Sequence, residues 1–395
     1  MDQGGTHWRT FGRVNRYVGR RLPPPIVQVI HGTIRGAILR FGTGVDGDLY
    51  LDGGCLDMAT DGFVWSTPMI RERTLNGLVL VLLLAVPLWA MFNDQPFTIT
   101  LATRAVIFAL AAVGLNIALG LGGLVSLGHA AFFGIGGYAM GILAHHAQTY
   151  TPVMELPFLI EGTKSMPVIW LVAMVTSGIA AFLIGILSLR TAGVYFIMIT
   201  LAFGQMFYFF SISWAAYGGE DGLLIYVRND FPGLNTLVPI NFFAICFTIL
   251  CLVLLLNGLL ARSPFGLALN AARQAPQRVQ TVGLDPQRLK LVAFVISGVI
   301  TGLAGALFAD LNRFVSPTMF SWQMSGEIMI FIILGGNARL CGPVVGAVVF
   351  VMLEHFLGGL SEYWHIYLGA LLLLVVFFAR GGLVGLIAGR EVAHD

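Results

Sequence analysis

From residue 76 onward the chain is a succession of apolar runs close to membrane-spanning length, and no other feature limits its fold as much. About 20 apolar residues in a helix cover the hydrocarbon thickness of a bilayer. Runs of this kind lie at 76–92, 99–120, 124–146, 167–189, 193–212, 239–260, 291–309, 342–357 and 364–380. A tenth, 325–335, is too short to cross alone and is broken by Gly335-Gly336 and Gly342-Pro343, so a broken or re-entrant pair is expected there. Only 11% of the residues are charged, against about a quarter in soluble domains. The 49 glycines suit helices that approach one another closely. The expected fold is an all-α polytopic membrane protein with about 8–10 transmembrane helices, short or broken segments included.

Residues 1–70 differ from the rest. Seven arginines between Arg9 and Arg40, the run Pro23-Pro24-Pro25 and a Gly/Asp-rich patch at 42–62 leave no segment of membrane length. With no apolar stretch behind a basic one, this is not a secretory signal. It reads as a basic, disordered extension, as a surface-lying amphipathic stretch at Arg13–Arg21, or as sequence ahead of a true start at Met69. The domain division expected is an extension at 1–70 and a transmembrane domain at 71–395. Beyond residue 68, eleven Lys and Arg fall at one set of ends (Arg71, Arg73, Arg190, five in 262–290, Arg339, Arg380, Arg390) and three at the other (Lys164, Arg228, Arg313). Positive charge marks the cytoplasmic side, which places both termini and the loop 262–290 in the cytoplasm.

A phosphate-binding loop needs a glycine-rich turn ending in Lys-Ser/Thr. The two lysines, Lys164 and Lys290, stand in no such context, so any ATP that drives this chain is bound on another polypeptide. Cys55, Cys246, Cys251 and Cys341 show no metal or disulfide spacing and read as packing residues. The segment Asn116–Gly141 is densest in glycine. Gly122-Gly123 is expected to break a helix, and Ser126 and His129, at i and i+3, to share a helical face. Either this interrupted helix lines a translocation path, with Asn116, Ser126 and His129 toward a polar solute, or His129 is a packed histidine bonded to a neighbouring group. A hydrolase built on Ser126 and His129 lacks a nucleophile elbow and an orienting acid. Arg104, Glu327 and Glu354 are ionisable residues within spans, with Asp310 near a span end. Such residues face the interior or water, or snorkel to the interface. Glu327, opening the broken segment, is the strongest path candidate among them. Gly298, Gly302 and Gly305 read as a helix-packing face.

The loop Arg262–Lys290 is the one long basic, polar insert between apolar runs in the second half. Small and apolar residues recur at helical spacing from Phe265 to Arg278, and Gly283-Leu284-Asp285-Pro286 reads as a stop and turn. A short helix, a turn and a return to the membrane make a cytoplasmic knob. A merely solvated basic loop is the plainer alternative.

Four stretches taken together resemble the LivM-type permease subunits of branched-chain amino acid ABC importers: LNIALGLGGLVSLGHAAFFGIGGYA, LRTAGVYFIMITLAFGQ from Leu189, AARQAPQRVQTVGLDPQRLKLVAFVISG, and SWQMSGEIMIFIILGGNARLCGPVVGA from Ser321. The resemblance covers roughly 75–390. It implies a non-enzymatic inner-membrane subunit without cofactor or metal, embedded in membrane lipid and without nucleic-acid partners. The implied partners are a LivH-type permease, two ABC ATPase subunits and a substrate-binding protein. By position, Ala271, Ala272 and Gly283 fall at the ATPase-coupling contact, flanked by Arg273 and Arg278. The family commonly carries acidic residues after the position of Arg273. Here Gln274-Ala275-Pro276 follows, and Pro276 is expected to kink or begin a helix.

The function expected is a transmembrane permease subunit moving branched-chain or related amino acids by alternating access, driven through the 262–290 knob. The same fold carrying urea, short amides or aromatic acids is an alternative. An ion-coupled secondary transporter is another, although it calls for several buried acids in paired broken halves.

Overall fold

A computed structural model describes residues 70–154, 160–226, 228–337, 339–360, 364–378 and 382–383. The expected N-terminal extension and the start at Met69 lie outside these residues, as do Arg380 and Arg390. The described chain is helical apart from two small two-stranded ribbons. In order it forms α1 (Ile70–Phe92), α2 (Pro96–Asn116), α3 (His129–Thr149), α4 (Met166–Ser188), α5 (Val194–Ser213), α6 (Pro239–Arg262), α7 (Pro264–Gln274), α8 (Pro276–Thr281), α9 (Pro286–Asn312), α10 (Trp322–Gly335), α11 (Gly342–Leu360) and α12 (Trp364–Phe378). Every expected apolar run has its helix.

Proline sets many of the starts. It occupies the first or second position of α2, α4, α6, α7, α8 and α9, where its fixed φ suits the helix and its missing N–H costs nothing. Side-chain caps reinforce three ends: Ser263, Asp285 and Ser321 accept the backbone N–H of Gly266, Gln287 and Met324. Among the described residues six helices are long and apolar enough to cross a membrane, Pro96–Leu121, Met166–Ser188, Val194–Ser213, Pro239–Arg262, Pro286–Asn312 and Gly342–Gly359. Three shorter apolar helices, Asn76–Phe92, Trp322–Gly335 and His365–Leu374, accompany them. Helix α3 is 21 residues long, but its three histidines and four glycines dilute its hydropathy below theirs.

Helix α2 is central, with 83% of its most apolar window buried against α9, α11, α6, α10 and α1. Helix α9 packs on α3, α4 and α2, and its glycines are where the backbones meet. Gly302 faces Ser177 of α4 and the backbone of Gly136 on α3, Gly305 faces the Phe133 carbonyl, and Gly298 faces Ala181 and Phe132. The glycine face expected from the sequence is therefore a packing surface. By contrast, α4, α5 and α6 expose large apolar side chains such as Leu171, Val175, Ile179, Met198, Phe209, Leu252 and Leu256. In water that surface is a liability, whereas in lipid it is solvated.

The chain between α9 and α10 explains the short tenth run. After Arg313 it stays extended and then forms a 3-10 turn at Pro317–Phe320. Val315 lies against Gly141 of α3, Met319 against Gly137 and Phe320 against Gly134, and Ser325 accepts the N–H of Ala130. The segment thus runs antiparallel to α3 for most of its length, so α10 begins beside the first turn of α3. A half-length helix suffices from there. The expected broken segment is thus a half-length helix led by a non-helical run whose Val315, Pro317, Met319 and Phe320 are buried.

Candidate functional site

Two ends of the bundle collect the loop charges. At one, Asp230 N–H donates to the Lys164 carbonyl, Ile225 N–H to the Arg313 carbonyl, and Arg228 to the Thr236 and Leu311 carbonyls. Burial pushes the Arg228 guanidinium pKa down, and the Asp310 carboxylate pulls it back up. Asp310 itself is buried and accepts from Asn229 through both backbone and side chain. At the other end a groove is lined by Gly123, Arg190, Pro276, Gln280, Gln287 and Lys290 among others. Lys164, Arg228 and Arg313 thus gather in one set of loops, and Arg190 and Lys290 line the groove at the other end.

Helix α2 does not stop cleanly at that second end. Residues Ile117–Leu121 widen into a π-helical turn, a feature that often marks functional sites. The chain then breaks at Gly122-Gly123 and runs non-helically to Gly128. Gly123 has φ +67°, a conformation that suits glycine. Ser126 therefore lies on the linker, and the expectation that Ser126 and His129 share a helical face is incorrect. The break is longer than Gly122-Gly123 alone implies, because Ser126 turns its hydroxyl back to accept the Gly128 N–H at 3.2 Å and so stabilises a turn rather than a helix.

His129 opens α3 and is fully buried. Its Nε2 lies 2.7 Å from Ser297 Oγ, and Ser297 donates to the Gly114 carbonyl at 2.7 Å. Because the Ser297 proton is committed to that carbonyl, His129 donates through Nε2. Phe132 and Phe294 stand edge-on to the ring. His129 thus ties α3 to α9 and α2. Asn116, also buried, donates to the Arg339 carbonyl at 3.2 Å and anchors the turn between α10 and α11. Of the four path candidates only Glu327 reaches partly open space, and the structure does not bring it together with the other three.

The 262–290 insert is a two-helix knob. Pro276 begins α8 rather than kinking one long helix, because Ala275 ahead of it leaves the helical region (φ −142°, ψ 78°). Ala272 is buried and Ala271 is exposed. Gly283, at φ +89°, closes the knob with open space around it. Arg273 reaches across to donate Nη1 to the Gly120 carbonyl, in the π-helical turn of α2, and its aliphatic stem covers Gly123. Sequence reasoning placed Arg273 on the knob and Gly122-Gly123 at a helix break. It missed that the first grips the second, which is a tertiary contact over 153 positions.

It also left Arg104 and Glu354 as separate intramembrane charges. They form an ion pair at 2.8 Å between α2 and α11, and Glu327 of α10 lies close enough to interact electrostatically with both.

The family described as branched-chain amino acid transport system, permease component, matches residues 97–376. The chain belongs to that family. This branched-chain permease-family member is 28% identical over 339 residues to the high-affinity branched-chain amino acid transport system permease protein LivM of Escherichia coli K12, covering 80% of the chain and 75% of that protein. The LivM of Salmonella typhimurium LT2 is likewise 28% identical over 342 residues, covering 80% and 77%. A probable LivH of Methanocaldococcus jannaschii is 26% identical over 198 residues, covering 47% and 59%. No solved structure matches the chain. As a family member the protein is a membrane-embedded transport component rather than an enzyme, and the LivM resemblance read from its motifs holds over most of its length.

Proposed function

We propose that the protein is the LivM-type permease subunit of an ABC importer for branched-chain amino acids. It sits in the cell inner membrane with both termini in the cytoplasm. It works with a LivH-type permease, two ABC ATPase subunits and a substrate-binding protein. The α7–α8 knob, with Ala271, Ala272, Arg273, Arg278 and Gly283, receives movement from an ATPase subunit, and the division into an extension at 1–70 and a permease domain at 71–395 is part of the same proposal.

The observation that carries this reading is the Arg273 contact. A knob that only satisfied charge bias would have no need to hold the membrane helices. Here a guanidinium on the knob grips a carbonyl in the π-helical turn of the central helix, immediately before the linker that leads to α3 and its contacts with α9 and α10. A push on the knob is delivered to a helix end whose hydrogen bonding already departs from the α-helical pattern, as π-helical turns at functional sites often do.

Removing the grip tests this. A charged donor to a carbonyl contributes about 1.5–3 kcal/mol. In the complete transporter reconstituted with its ATPases, Arg273→Ala should therefore lower leucine uptake by roughly ten- to a hundredfold while ATP hydrolysis continues. Uptake and hydrolysis that remain in the wild-type ratio would remove Arg273 from coupling.

A further inference from the structure

The groove at the knob end is built by separate stretches of chain. Its walls are the linker after the π-helical turn (Gly123), the turn between α4 and α5 (Arg190, Gly193), helix α8 (Gln280) and the start of α9 (Gln287, Lys290). It measures about 340 Å³, a size within the range of small-molecule sites. No aspartate or glutamate lines it, so Arg190 and Lys290 meet there without a counter-charge. Neither makes a hydrogen bond or ion pair among the described residues. Other arginines nearby are engaged: Arg288 pairs with Asp285 at 3.2 Å, and Arg273 donates to the Gly120 carbonyl.

The start of α5 adds to the imbalance. No side chain caps its first turn, and Gly193 and Phe196 of that helix end help to line the groove, which therefore also receives the positive end of a helix dipole. Height in the bilayer identifies what can supply the anion. Arg190 stands between the spans Met166–Ser188 and Val194–Ser213, and Lys290 is the last charged residue before the apolar body of α9. Both are at the level of lipid headgroups. Flanking the lining residues in the chain, Leu187, Val194, Met198 and Val292 are exposed. Acyl chains cover such a surface, and a small soluble anion does not.

We propose that the groove holds the phosphate of an anionic phospholipid, with Arg190 and Lys290 as its counter-charges and its acyl chains along the exposed faces of α4, α5 and α9. Basic pockets between membrane helices on the cytoplasmic side bind anionic headgroups in this way, and the inference rests on the orientation proposed above, which puts this end in the cytoplasmic leaflet. The bound headgroup touches the knob through α8, the linker through Gly123 and the bundle through α5 and α9. It therefore fastens the knob to the membrane helices at a second place besides Arg273.

The test titrates the complete transporter, ATPase subunits attached, with phosphatidylglycerol or phosphatidylcholine in detergent and reads the retained lipid by native mass spectrometry. Phosphatidylglycerol should be held at a concentration roughly tenfold or more below that needed for phosphatidylcholine. Arg190→Gln combined with Lys290→Gln should abolish that preference. Arg190→Lys, which keeps the charge, and Arg288→Gln, outside the groove, should retain it. An unchanged preference in the double variant overturns the site. Displacement of the lipid by millimolar inorganic phosphate makes the groove a site for the free anion and overturns the lipid assignment. Retention that appears only after the ATPases are stripped away also overturns it, because the groove then belongs to an acidic surface of the ATPase. Lipid in detergent reaches either end of the bundle, so a wrong orientation leaves these results unchanged and is read separately, from which side of sealed vesicles a protease cuts the knob.

Discussion

At the scale of single residues, His129 shows how a polar side chain in a membrane helix can be explained by its partners. Two readings were open in the sequence, a path residue or a packed histidine. The Ser297 hydroxyl links His129 to the Gly114 carbonyl, and two phenylalanine rings enclose the imidazole. In this conformation the residue ties three helices together. Ser297→Ala removes the acceptor of a buried N–H and the donor to a buried carbonyl, at a cost of about 1–3 kcal/mol. Thermal unfolding of the detergent-solubilised protein should register that loss, and an unchanged midpoint would deny the linkage. The pairing with Ser297 was not legible beforehand, because 168 positions separate the partners and nothing local marks Ser297. His129 itself was legible, since a histidine in a glycine-rich apolar run stands out.

Among the elements, punctuation carried most of what could be read. Proline marks the start of six helices, glycine ends the π-helical turn of α2 and ends α10, and Pro276 dividing α7 from α8 follows from the restriction proline imposes on Ala275. What escaped was the backbone between elements. The residues 124–128 look apolar and read as the start of a span, and the run from Arg313 to Ser321 falls between spans with no course assigned to it. The second packs along α3, and the linker Gly122–Gly128 that contains the first lies against Thr200 of α5 and Arg273 of the knob, so only the fold reveals either course. That packing depends on absent side chains. A Cβ at Gly136 would overlap the Gly302 backbone of α9, and backbone cannot swing aside as a flexible side chain does. Gly136→Ala should force α3 and α9 apart and greatly reduce monodisperse protein on size-exclusion chromatography. Gly326→Ala, which meets no atom within 4 Å, should elute as the wild type does. Equal profiles for the two variants would mean that the close α3–α9 contact is not required.

For the whole molecule, the division of labour follows from where apolar and charged surface are placed. Large apolar side chains face outward on α4, α5 and α6. The central helix α2 is enclosed yet carries the Arg104–Glu354 pair toward one end and the Arg273-bound π-helical turn at the other. Chain length and hydropathy made the membrane architecture legible, and without a phosphate-binding loop any ATP that drives the chain is bound on another polypeptide. The route proposed for its energy, from knob to helix end, rests on a three-dimensional contact, Arg273 with Gly120. The central claim is that this permease moves amino acids only when separate ATPases drive it through α7–α8. Leucine uptake into proteoliposomes, with and without the ATPase subunits and ATP, tests that claim most directly. Uptake that appears only with both present, and is lost on Arg273→Ala, is the predicted result. Concentrative uptake by the permease subunits alone, driven by a proton or sodium gradient, would contradict it.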